Sequence, residues 1–279
     1  MGFQIKKISN HGTSNPIVAR LTIQTDELLG FCTIPKEKKE EILILYHDEI
    51  MPRLLACDTI AQRIAKDVLE VEASLEKTGL VRQAGGRVVE VPQVMDLQQD
   101  AEQFLYTAKC VLREAAKVFK PFFEQEFKKA RYDQIIVWAK ERFGESHEIP
   151  RMLKEDHDLW LSRLIDMRNA VEHPDKLRLT IKNFELGGDK LAVPMWQLND
   201  TPATDLAQDM LFYVESMLTF CEDLLMAGIH TAGIFPGVGF GLIPEAERKV
   251  DCPKRIRMAL LKDLNFPAPP SSSPAAPAV

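Results

Sequence analysis

From about residue 35 to residue 228, apolar side chains return at helical spacing, segment after segment, leaving little room for an architecture other than packed helices. Between Pro35 and Lys77, Ile42, Leu45, Ile50, Leu54, Ile64, Val68, Val71 and Leu75 recur at roughly every third or fourth position, and Gly79 supplies a stop. Pro52 should kink or divide this segment. Further helices are expected at about 94–119 ending near Pro121, 122–143 ending at Gly144, and 151–172 stopped by Pro174. A fifth should start at Thr201-Pro202, a cap followed by proline, and end by Gly228.

Other stretches read differently. Residues 3–8 and 17–24, "IVARLTIQ", look like short strands, giving an N-terminal β element over 1–34. "VRQAGGRVVEVP" and "LRLTIKNFELGGDKLAVPMW" read as hairpins near 80–92 and 177–197. Residues 231–266 form an irregular or briefly stranded extension, and the Pro/Ser/Ala tail, 267–279, is expected to be disordered. The expected fold is mainly α: a helical bundle over 35–230 with small β-hairpin insertions.

Composition narrows the functional classes. The chain is 46% hydrophobic and 27% charged, with a net charge of −6. That balance argues against a protein that coats nucleic acid through a broadly basic surface, while leaving room for a local basic patch. No apolar run approaches membrane length. Cys32, Cys57, Cys110, Cys221 and Cys252 are scattered and odd in number, which reads as reduced, mostly buried thiols and a cytoplasmic protein. "GVGFGLIP" lacks the following helix and the GKS/T of a phosphate loop, so a turn or strand is expected there. "YHDE" at 46–49 should be a solvated helix face. Phe122, Phe123, Tyr132 and Trp138 fall at core-like spacing. The basic clusters at 127–134 and 253–262 read as solvated faces. No HExxH or GxSxG is present, and the six histidines lack metal-ligand spacing.

What remains is "RNAVEHPD", residues 168–175. At about 100° per residue, Trp160, Leu161, Leu164, Met167 and Val171 cluster within about 100° of Arg168, which places the arginine on the flank of the buried stripe. A guanidinium there needs partners, and Glu172, four residues on, is the simplest one. His173 precedes Pro174, so its backbone is pushed out of the α region and the helix should end there. An arginine, an asparagine and a histidine thus meet at one helix end. Arginine grips phosphate oxygens in a fork, and histidine can exchange a proton near neutral pH.

"RNAVEH" resembles the R-N-x-x-x-H signature of HEPN domains, the higher-eukaryote and prokaryote nucleotide-binding superfamily. Arg142…His147 and Arg151…His157 satisfy the looser R-x(4-6)-H pattern, but Phe143 and Met152 stand where the signature wants a polar residue. The resemblance implies a four- or five-helix bundle that dimerises with its motifs facing each other. It also implies a metal-independent RNA endonuclease, of the kind found in toxin-antitoxin and phage-defence systems. Arg168 would hold the phosphate, His173 would move protons, and Asn169 would orient the phosphate or Arg168. No cofactor is called for, because the nucleophile is the RNA 2′-hydroxyl. The implied partners are RNA, a second copy of the chain, and an antitoxin or other regulatory protein. Other members of the family are inactive binding or dimerisation modules. On that alternative, Arg168–Glu172 is a structural pair.

Overall fold

The computed structural model describes residues 11–78, 83–84, 87–88, 92–127, 129–187 and 190–260. The molecule is mainly helical, with small antiparallel sheets. The strand expected at 3–8 and the disorder expected at 267–279 lie outside the described residues.

The N-terminal β element is overturned where the chain is described. Residues 17–24 are helical, within α1 (Pro16–Val18), a wide π turn (Ala19–Ile23) and α2 (Gln24–Gly30). Two local signals explain the outcome. Asn15 caps the start, its Oδ1 accepting from the N–H groups of Ile17 and Val18 at 2.9 and 3.3 Å, and Pro16 occupies the first turn. The β-branched residues suggest a strand, yet Ile17, Val18, Leu21, Thr25, Leu28 and Leu29 are buried on a helical period.

The next rod joins α3 (Lys36–Ile44), a π turn (Leu45–Ile50) and α4 (Met51–Thr78). Pro52 does not divide it. The widened turn comes just before the proline, with the Met51 N–H bonded to the Tyr46 carbonyl, so the rod continues past a residue that has no N–H. Within this turn, "YHDE" is not a solvated face. Tyr46 is buried and donates its hydroxyl to the Cys221 carbonyl at 2.6 Å. A small hairpin follows, β1 (Gln83–Ala84) with β2 (Arg87–Val88), within the stretch 80–92 where a hairpin was expected.

α5 (Leu97–Ala115) passes through a short 3-10 turn into α6 (Phe119–Phe123). Pro121 lies in the first turn of α6, where a missing N–H costs little, so the helix does not stop there. It stops at Glu124, whose left-handed backbone (φ 60°) allows Glu124 and Gln125 to donate back to Lys120 and Phe119 at 2.8 and 3.3 Å. The next helix, α7 (Tyr132–Phe143), therefore starts about ten residues later than the periodicity suggests. Phe119, Phe123, Phe127, Trp138 and Phe143 pack ring against ring, so the aromatic residues of this region serve packing.

α8 (Glu148–Asp156), a π turn (His157–Leu161) and α9 (Ser162–Glu172) form the rod that carries the motif. The sheet after it has the order β3-β6-β7, from β3 (Leu179–Lys182), β6 (Met195–Leu198) and β7 (Thr204–Asp205). The inner hairpin of β4 (Glu185–Gly187) and β5 (Lys190–Ala192) extends the expected 177–197 insertion. Thr204–Asp205 pairs with β6, which delays α10 (Leu206–Ala232) past Thr201-Pro202. Asp205 is its cap, accepting from Gln208 N at 2.9 Å. Gly228 does not end α10. Its missing Cβ lets the Phe122 ring lie against the helix, and Gly233 (φ 124°) supplies the stop. α10 is the central rod, packed on α4 and α5.

The chain closes with the hairpin β8 (Val238–Leu242) and β9 (Ile256–Leu260), and "GVGFGLIP" is its first strand. A buried polar network ties this hairpin and the N-terminal helices to α10. Arg20 and Glu222, each 1% exposed, are paired; Arg20 also bonds Glu215 at 2.7 Å and Thr219 at 3.0 Å. Gln24 donates to Glu222 at 2.6 Å and accepts from the Arg255 and Ile256 N–H groups at 2.8 and 2.7 Å. Arg255 reaches Glu222 at 2.8 Å and pairs with Asp223. At Arg255, the basic cluster 253–262 is thus part of the interior and not a solvated face.

Candidate active site

The α8–α9 rod is anchored by its apolar stripe: Trp160, Leu161, Leu164, Met167 and Ala170 are buried, and Trp160 donates to Asp156 at 2.7 Å. Arg168 stands on the flank of that stripe, with its side chain 19% exposed. Both terminal nitrogens of its guanidinium donate to the Glu172 carboxylate, and the group lies over the Tyr106 ring of α5, 5.1 Å from the centroid. Among the described residues, its buried Nε has no hydrogen-bond partner.

The helix ends as the proline requires. His173 leaves the α region (φ −130°, ψ 64°), its N–H donating to the Asn169 carbonyl at 2.8 Å. The imidazole is 62% exposed, so the following hairpins do not cover it. Its Nε2 lies 3.9 Å from Glu172 Oε2, the oxygen that also binds Arg168 Nη1. One carboxylate oxygen therefore stands between arginine and histidine.

Asn169 is placed differently. Its side chain lines a cleft of about 390 Å³ between α5, α7 and α9, with Lys109, Arg131, His157, Ser162 and Asp166 among the other walls. Among the described residues, no hydrogen bond links that side chain to Arg168 or His173. Burial, followed by the charge of Arg168, lowers the Lys109 pKa; Glu172 and Asp166 act the other way. Burial raises that of Asp166 against the pull of His157 and Lys109. On the other side of the α9 end lies a groove of about 460 Å³, lined by Gln98, Glu102, Pro174, Arg178 and Thr180 among others.

The structure thus brings Arg168 and His173 together through Glu172, and sets Asn169 beside Lys109. Sequence reasoning missed Tyr106 and Lys109. They stand three residues apart on one face of α5, a helix read only for its apolar period. The looser arginine–histidine matches find structural employment. His147 caps α8 by accepting from Ile149 N at 3.2 Å and stacks on Phe143, and Arg151 makes an exposed pair with Glu155. Among the described residues there is no cluster of three metal-ligating side chains, and no helix is long and apolar enough to cross a membrane. No protein-family model, curated protein or solved structure matches this chain.

Proposed function

We propose that this chain is a HEPN-like, metal-independent RNA endoribonuclease whose working groups are Arg168, Asn169 and His173. The observation that carries the reading is the sharing of one Glu172 oxygen by Arg168 and an exposed His173 at the end of a single helix. A phosphodiester entering there meets a guanidinium fork and an imidazole within reach of the same point. In the reaction, the substrate 2′-oxygen forms a bond to phosphorus as the bond to the 5′-oxygen breaks. The 2′-hydroxyl proton passes to a base, and the departing 5′-oxygen receives a proton. His173 serves one of these transfers, and Arg168 stabilises charge on the non-bridging oxygens. For Arg168 to do so, the phosphate must take the place of the Glu172 carboxylate.

One imidazole supplies one proton-transfer group, so a two-fold homodimer with facing motifs completes the site in this reading. An antitoxin or similar protein would cover the same exposed helix end. A second reading has its own support: with both terminal nitrogens of Arg168 held by Glu172, the chain would be an inactive HEPN-like binding or dimerisation module. Incubating purified protein with mixed RNA in EDTA separates the two. The nuclease leaves 2′,3′-cyclic phosphate on the upstream fragment. Absence of cleavage, or magnesium-dependent cleavage leaving 3′-hydroxyl ends, removes the proposed mechanism.

A further inference from the structure

We propose that the cleft lined by Lys109 and Asn169 is a second phosphate subsite, which takes the backbone of a single-stranded RNA one step along from the phosphate held by Arg168. The proposal rests on the nuclease reading and narrows its substrate to an oligoribonucleotide, since an isolated dinucleotide has only one phosphodiester to offer.

Three observations carry it. Lys109 forms no hydrogen bond or ion pair among the described residues, although it is half-buried and lines a cavity of about 390 Å³. Among the neighbours that share that cavity, Arg131 is paired with Asp133 at 2.8 Å and His157 lies 3.4 Å from Asp158. Asp166 lines the same cleft and, with Glu172, acts on Lys109 only through space, so Lys109 is a cation in a concave site with no direct partner, and its ammonium is open to an anionic ligand. The second observation is placement. Tyr106 and Lys109 share a face of α5, while Arg168 and Asn169 are neighbours on α9. The Arg168 guanidinium rests on Tyr106, and Asn169 lines the cavity with Lys109. The two cations therefore stand on one α5–α9 seam, where burial first and then the charge of Arg168 depress the Lys109 ammonium. Such repulsion is relieved when an anion enters between them. The third is chemistry: Asn169 and Ser162 add neutral donors suited to phosphate oxygens or to a ribose.

A backbone contact makes a specific demand on binding. It should be independent of sequence and should add one phosphate to the salt dependence. The experiment measures fluorescence anisotropy of labelled, uncleavable 2′-O-methyl oligoribonucleotides of several sequences, over a range of salt. It compares wild type with Lys109→Met and Lys109→Arg after circular dichroism confirms that each is folded. Lys109→Met should weaken binding about equally for every sequence and make the slope of log affinity against log salt shallower by about 0.7. Lys109→Arg should retain most of the slope. Lost affinity with an unchanged slope would mark Lys109 as a structural residue and overturn the subsite, as would failure of wild type to bind. Cleavage of unmodified RNA is scored separately. Binding with the expected Lys109 dependence but without cleavage would remove the nuclease reading and leave the subsite standing.

Discussion

Glu172→Gln tests the relation between the resting pair and the proposed chemistry. In the free protein the carboxylate occupies both terminal nitrogens of Arg168, so a phosphate must displace it. Fully solvated i,i+4 pairs contribute about 0.3–0.5 kcal/mol. This pair is more sheltered, with side chains 19% and 29% exposed, so its contribution should lie towards the lower end of charge-assisted hydrogen bonds, at most about 1.5 kcal/mol. Glutamine keeps the size and one acceptor but loses the charge, and the cation–π contact with Tyr106 still holds the guanidinium in place. Releasing about 0.5–1.5 kcal/mol of competition should lower KM for RNA by about 2- to 10-fold with kcat largely retained. The melting temperature should fall by a few degrees at most, at about 2–4 °C per kcal/mol for chains of this size. Steady-state cleavage of a fluorogenic RNA and a thermal melt provide both readings. A loss of kcat of about a hundredfold in a folded variant would show that the carboxylate takes part in the chemistry and would refute its role as a displaceable counter-ion. Unchanged KM and melting temperature would show that the pair does not occupy the fork in solution.

Two further predictions concern the frame around the site. Glu222→Ala should destabilise the fold by about 3 kcal/mol in urea unfolding, the lower end for a broken buried pair, because it leaves the buried Arg20 guanidinium only Thr219 and the largely exposed Glu215; Arg20→Met combined with Glu222→Leu should cost less than that single change, and a double variant costing more would refute the coupling. Burial holds the His47 pKa below its ordinary 6.5, so the fold keeps this imidazole neutral while the unfolded chain takes up a proton. The resulting stability is fully present above about pH 6.5 and is lost as pH falls through the depressed folded value, so His47→Gln should flatten the decline in melting temperature between about pH 7 and 5, and an unaltered profile would contradict this assignment.

The parts of the site that were legible in sequence are those governed by local rules. Helical angles placed Arg168 on the flank of the apolar stripe, the i,i+4 rule named Glu172 as its partner, and Pro174 fixed the helix end at His173. What local rules could not supply was the identity of the neighbouring helix. Tyr106 and Lys109 lie some 60 residues from the motif, and only the packing of α5 on α9 brings them to it. The misreading of residues 17–24 has a related cause. A β-branched run suggests a strand, but Asn15 supplies a cap, and Arg20 finds two carboxylates, the buried Glu222 and the exposed Glu215, about 200 residues away on α10. A charge in the middle of an apolar run is uninformative until its distant partner is known. Start and stop residues misled for the same reason: Thr201-Pro202 is a sound helix start, yet Thr204 and Asp205 pair with β6 first.

The most direct test compares wild type with His173→Ala on the same RNA in EDTA, after confirming that both are folded and have the same oligomeric state. His173 is largely exposed and lies beyond the last helical residue, so its removal should leave the fold intact. Loss of a proton-transfer group should slow cleavage by about 10²- to 10⁴-fold, and the wild-type products should end in 2′,3′-cyclic phosphate. Equal cleavage by the two proteins would contradict the assignment of His173 and, with it, the nuclease reading of this helix end.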